Sequence, residues 1–96
     1  MSTLRSQDRR KEIVTRLKRA EGQLRGVQRM IEEGEACQDI AGQLSAVRKA
    51  IDSVFVHMTL CFMEQEIKDG LGDSPKVRER LAEVMEGAQS MLARAR

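Results

Sequence analysis

Between Cys37 and Gln65, residues fall on a seam of alternating three- and four-residue steps: Cys37, Ile40, Leu44, Val47, Ile51, Val54, Met58, Cys61 and Gln65. That seven-residue pattern predicts one uninterrupted helix from about Ala36 to Asp69. A helix of about 33 residues is about 50 Å long at 1.5 Å per residue, yet the whole chain has only 96 residues. One short further helix cannot cover such a stripe. A 3.5-residue period favours long, near-parallel helix pairing, so the expected partner is a second copy of the same helix, and a monomer is not expected.

The rest of the chain reads as two more helices. The first runs from about Ser6 to Glu33, with Ile13, Leu17, Ala20, Leu24, Val27 and Ile31 on its stripe and Gly34 as its stop. Gly70 and Gly72 end the second. The third opens at Ser74-Pro75, a cap residue followed by proline at the first helical position, and carries Val77, Leu81, Val84, Ala88 and Met91. Aromatic residues make up 2% of the chain and proline occurs once, which suits helices and excludes an all-β domain. The fold class expected is all-α, a three-helix protomer forming a single domain over residues 1–96. No apolar run is long enough to cross a bilayer, and the polar start MSTLRSQDRRKE predicts no export signal. Two cysteines in that setting predict free thiols and a cytoplasmic protein.

The net charge of +2 conceals an asymmetry. Residues 1–26 carry eight basic groups (Arg5, Arg9, Arg10, Lys11, Arg16, Lys18, Arg19 and Arg25) against three acids, a net +5. The other seventy residues carry nine basic groups against twelve acids, a net −3. A basic end on a near-neutral chain points to a polyanionic partner, nucleic acid first. The plainer alternative is a solvated helix face.

Enzymatic chemistry is not expected. The chain has one histidine, no glycine-rich phosphate loop and no convergent Ser/His/Asp set. Candidate chemistry rests on Cys37, Cys61 and His57. Cys37 opens the second helix, where the helix dipole favours a reactive thiolate. Cys61 lies 24 residues further along the same seam, about 36 Å away within one helix, so the two thiols cannot meet in one chain. In an antiparallel pair crossing near Lys49, Cys37 of one copy would face Cys61 of the other. His57 precedes Cys61 by four residues and projects from the neighbouring turn. The alternative for Cys61 and His57 is plain core. Met30, Met58, Met63, Met85 and Met91 read as gap-filling core rather than a thioether copper site.

The segment Arg16-Leu17-Lys18-Arg19-Ala20-Glu21-Gly22-Gln23-Leu24-Arg25-Gly26, followed by Cys37 and then Gln43-Leu44-Ser45-Ala46-Val47-Arg48, resembles the CsoR/RcnR/FrmR family of bacterial repressors. The resemblance covers about residues 8–93. It implies an antiparallel four-helix-bundle dimer assembling into a disc-shaped homotetramer. It also implies a repressor of a detoxification or efflux operon that leaves double-stranded operator DNA when a metal ion, formaldehyde or reactive sulfur binds. The DNA-contacting residues it implies are Arg16, Lys18, Arg19 and Arg25, with Arg9, Arg10 and Lys11 reinforcing them. Without aromatic residues among these bases, phosphate contacts and duplex shape should dominate binding.

The family's sensor set is a cysteine at the start of the second helix, a histidine 25 residues later and a cysteine or histidine 29 residues later, the last two on the partner chain. Here the cysteine is Cys37, but Phe62 and Glu66 occupy the other two positions, and Ser2 stands where formaldehyde-responsive members carry proline. Phenylalanine cannot bind a metal. Two expectations follow. In the first, placed ahead because the second must replace a lost ligand, Cys37 senses reactive sulfur or an electrophile with the partner's Cys61 as resolving thiol. In the second, Cys37 with Cys61 and His57 of the partner, and Glu66 as a further donor, holds Cu(I) or Zn(II). A structural helical bundle that binds no DNA is the remaining alternative.

Overall fold

The computed structural model describes residues 3–94, so Ser2 lies outside the described residues. Within them the chain is three helices and no strand: α1 (Gln7–Glu32), α2 (Cys37–Leu71) and α3 (Pro75–Arg94). All-α architecture is thus as the apolar spacing predicts. No helix of the described residues is long and apolar enough to cross a membrane.

Local chemistry sets the ends of each helix. Ser6 caps α1, its Oγ accepting a hydrogen bond from the Arg9 amide at 3.3 Å, with Asp8 in the first turn against the positive end of the helix dipole. At the other end Gly34 adopts φ +73°. The Glu35 amide donates to Met30 O at 3.0 Å and the Gly34 amide to Ile31 O at 3.2 Å, the paired closing bonds of a left-handed glycine stop. α2 ends on a simpler version: Gly72 has φ +87° and its amide donates to Lys68 O at 2.8 Å. Gly70, read from sequence as part of that stop, is helical. Ser74 then caps α3, accepting from the Val77 amide at 3.2 Å, and Pro75 opens the helix where no amide hydrogen is needed.

The described residues form two compact units, with α2 contributing to both and changing over after Phe55. In the first, Ser6–Phe55, α1 and the first half of α2 bury Ile13, Ala20 and Val27 with Val47 and Val54. Each set repeats every seven residues, so each helix gives one straight ridge to this core. In the second unit, residues 3–5 join residues 56–94. There the later half of α2 buries His57, Leu60, Cys61 and Glu64, and α3 buries Leu81 and Met85.

The seam of α2 is therefore divided. Val47, Val54 and Cys61 are buried within the protomer, whereas Leu44, Ile51 and Met58, the other half of the heptad pattern, are 40–45% exposed. Phe55 and Phe62 extend that exposed row, at 71% and 46%. On α3, Met85 is buried in place of Val84 and Met91, because the buried face centres between Leu81 and Met85, one turn apart, and Val84 and Met91 lie about 80–100° round the helix from it at about 100° per residue.

Candidate functional site

The basic residues of α1 do not share one face. At 100° per residue, Lys11, Lys18 and Arg25 lie about 160–200° from the buried ridge of Ile13, Ala20 and Val27, and all three are exposed. Arg29, one turn beyond Arg25, falls on the same row. Sequence reasoning omitted Arg29, although its i+4 spacing from Arg25 was the signal that places it there. Arg10 and Arg19 are exposed on the two flanks. Arg9 and Arg16 sit nearer the core, half-buried, and flank Glu12: Arg9 Nη1 is 3.5 Å from Glu12 Oε2, and Arg16 Nη2 is 3.6 Å from Glu12 Oε1. Glu21 holds Arg25 at 3.6 Å. These pairs are solvent-exposed to varying degrees and each contributes about 0–1 kcal/mol, so they orient the guanidinium groups without locking them.

Cys37 is the first residue of α2 and its thiol is exposed. The turn it opens is closed by Asp39 and Ile40, whose amides donate to Ala36 O at 3.0 and 3.1 Å. Cys61 is the opposite case, 2% exposed. His57, one turn earlier, is 6% exposed. Its Nδ1 lies 3.3 Å from Gln89 Nε2 on α3, and its Nε2 is fully buried. Glu64 is buried beside them in sequence, while Phe62 and Glu66 face outward one turn apart. The structure thus places His57 and Cys61 on successive turns of one ridge, which continues through Gln65 and Asp69 at the same four-residue spacing.

Among the described residues, no group of three or more His, Cys, Asp or Glu side chains stands close enough to hold a metal ion. Cys37 belongs to the first unit, and Cys61, His57 and Glu66 to the second. The chemistry on offer is one accessible thiol at a helix start, and a buried thiol and a buried imidazole one turn apart, the imidazole engaged from α3 by Gln89. Two thiols and an imidazole are donors that suit a soft ion such as Cu(I) or Zn(II).

A three-helix chain with a basic first helix and a cysteine opening its long second helix defines a class. The family model described as metal-sensitive transcriptional repressor matches residues 9–91, and the chain belongs to that family, the CsoR/RcnR/FrmR repressors. Its members are transcriptional repressors, not enzymes. The chain is 39% identical over 74 residues to the copper-sensing transcriptional repressor RicR of Mycobacterium tuberculosis, spanning 72% of this chain and 77% of that one. It is 35% identical over 82 residues to the copper-sensing transcriptional repressor CsoR of Bacillus subtilis, spanning 83% and 81%. A solved structure of a variant of the formaldehyde-responsive regulator FrmR from Salmonella enterica serovar Typhimurium superposes with a TM-score of 0.58 at 32% identity, covering 95% of this chain and 97% of the other.

Proposed function

We propose that this chain is a cytoplasmic, homo-oligomeric DNA-binding repressor whose inducer is a soft metal ion, Cu(I) ahead of Zn(II). The observation that carries the reading is the likeness to two copper-sensing repressors, at 35–39% identity over most of the chain. It moves the metal ahead of the thiol chemistry that the loss of the family's histidine position placed first. The residues assigned to the ion are Cys37 of one protomer with Cys61 and His57 of its partner, and Glu66 at the edge; Cys61 and His57 are buried in their own protomer, so holding the ion requires their ridge to turn toward the other copy. The ion would supply a bond network linking two protomers that neither thiol supplies alone.

Assembly through α2 is supported by the exposed row of Leu44, Ile51, Phe55, Met58 and Phe62, a contiguous apolar face of the kind that marks an interface. Binding of double-stranded operator DNA is assigned to Arg9, Arg10, Lys11, Arg16, Lys18, Arg19 and Arg25, with Arg29 added. The experiment is an anaerobic Cu(I) titration against a competing chelator. Tight binding by the native protein and its loss in Cys37→Ala supports the metal; equal binding by both sinks it.

A second reading is favoured by the exposure of Cys37 and by Phe62 and Glu66 at the family's ligand positions. In it, Cys37 reacts with polysulfide. The intact denatured mass without reductant separates the two. A covalent dimer carrying additional sulfur, absent from Cys37→Ala, favours this reading, and an unchanged monomer mass removes it.

A further inference from the structure

The short segment before α1 is fastened to the last turns of α2 by four hydrogen bonds. The Gln65 side-chain amide engages it twice, Nε2 donating to Thr3 O at 2.8 Å and Oε1 accepting from the Arg5 amide at 3.0 Å. The Arg5 guanidinium closes the strap on Asp69, with Nη2 at 2.7 Å from Oδ1 and 2.6 Å from Oδ2. Leu4, between the anchors, is half-buried. Gln65 and Asp69 are one turn apart on the ridge that also carries His57 and Cys61.

Two features mark this as a reversible contact. The Arg5 and Asp69 side chains are 54% and 50% exposed, and an ion pair so open to water is weak and screened by salt. The Gln65 bonds join neutral groups at the surface, where water replaces them at little cost. In the chain, Arg5 leads directly into the basic run Arg9, Arg10 and Lys11 of α1.

We propose that residues 3–5 are a retractable DNA arm, in which Arg5 is a further phosphate-contacting residue that Asp69 and Gln65 hold back until a duplex displaces them. The proposal rests on the DNA-binding reading above. Its thermodynamic mark is particular. When Arg5 exchanges Asp69 for a phosphate, one condensed counterion leaves the DNA, whereas a lone carboxylate condenses none, so the contact adds about 0.9 to the slope of log affinity against log salt with Asp69 charged or neutral. Asp69 and Gln65 set only what it costs to free Arg5, which shifts affinity and leaves the slope nearly unchanged.

The test uses the full chain and a fluorescent 30-base-pair duplex of mixed sequence, titrated by anisotropy across a range of salt. Arg5→Gln is expected to lower the slope by about 0.9, and Asp69→Asn to bind severalfold tighter at low salt with the slope nearly unchanged, a gain expected to vanish when Asp69→Asn is made on an Arg5→Gln background. Gln65→Ala, which changes no charge, is expected to tighten binding at every salt concentration with the slope unchanged. All three side chains lie at the surface, so cooperative thermal unfolding serves as the check that the variants are folded. A slope that Arg5→Gln leaves unchanged, or a gain from Asp69→Asn that persists without Arg5, overturns the arm. So does a Gln65→Ala protein that binds no tighter than the native one. A native protein that binds no duplex at all overturns the repressor reading and the arm with it, whereas native binding with a slope indifferent to Arg5 overturns the arm alone.

Discussion

Two glycines near the end of α2 show how much one dihedral angle decides. Gly72 holds φ +87°, a conformation that costs an L side chain about 1–2 kcal/mol, whereas Gly70 sits inside the last helical turn with open space where a Cβ would go. Gly72→Ala is therefore expected to destabilise the protein by about 1–2 kcal/mol, and Gly70→Ala to stabilise it by about 0.5–1 kcal/mol through helix propensity. Urea midpoints of the two variants, compared with the native protein, check both signs. The same scale holds Ser6, whose Oγ caps the Arg9 amide. Ser6→Ala is expected to cost about 1 kcal/mol, read in the same urea experiment.

At the scale of the helix, the question is which half of a heptad seam faces the protomer's own core. Val47, Val54 and Cys61 are buried, while Leu44, Ile51 and Met58 are open. Ile51→Glu therefore leaves the protomer's core intact and removes apolar surface only from the face assigned to the second copy. The expected outcome is a lower assembly mass by light scattering with helical circular dichroism retained. Loss of helicity would show instead that the row supports the protomer itself. The helix ends were legible in the sequence because they are local: Ser6, Gly34 and Ser74-Pro75 act within one turn. The division of the seam was not, because both halves of the pattern are equally apolar and only the packing partner tells them apart. Nor was the pairing of Gln89 with His57 across 32 residues, or of Arg5 with Asp69 across 64, since a polar side chain carries no mark of which distant neighbour it will meet.

For the whole molecule, charge and thiol placement have to act together. The basic groups concentrate in the first quarter of the chain, and the solvent pole of α1 gathers Lys11, Lys18, Arg25 and Arg29. Lys18→Ala is accordingly expected to weaken binding to any duplex about equally and to lower the salt slope by about 0.9, read by anisotropy at several salt concentrations. The candidate site was legible in part: Cys37 at the mouth of α2 and the basic run of α1 stand where the motifs put them. The interior setting of Cys61 and His57 stood in the sequence only as an alternative, and their burial decides for it. The central claim is that a metal ion held through Cys37 governs DNA binding. It is tested most directly by adding Cu(I), without oxygen, to protein bound to a duplex enriched from a random library, and following anisotropy for the native chain and for Cys37→Ala. Release from the native protein with retention by the variant is the predicted result. Release from both, or from neither, would contradict it.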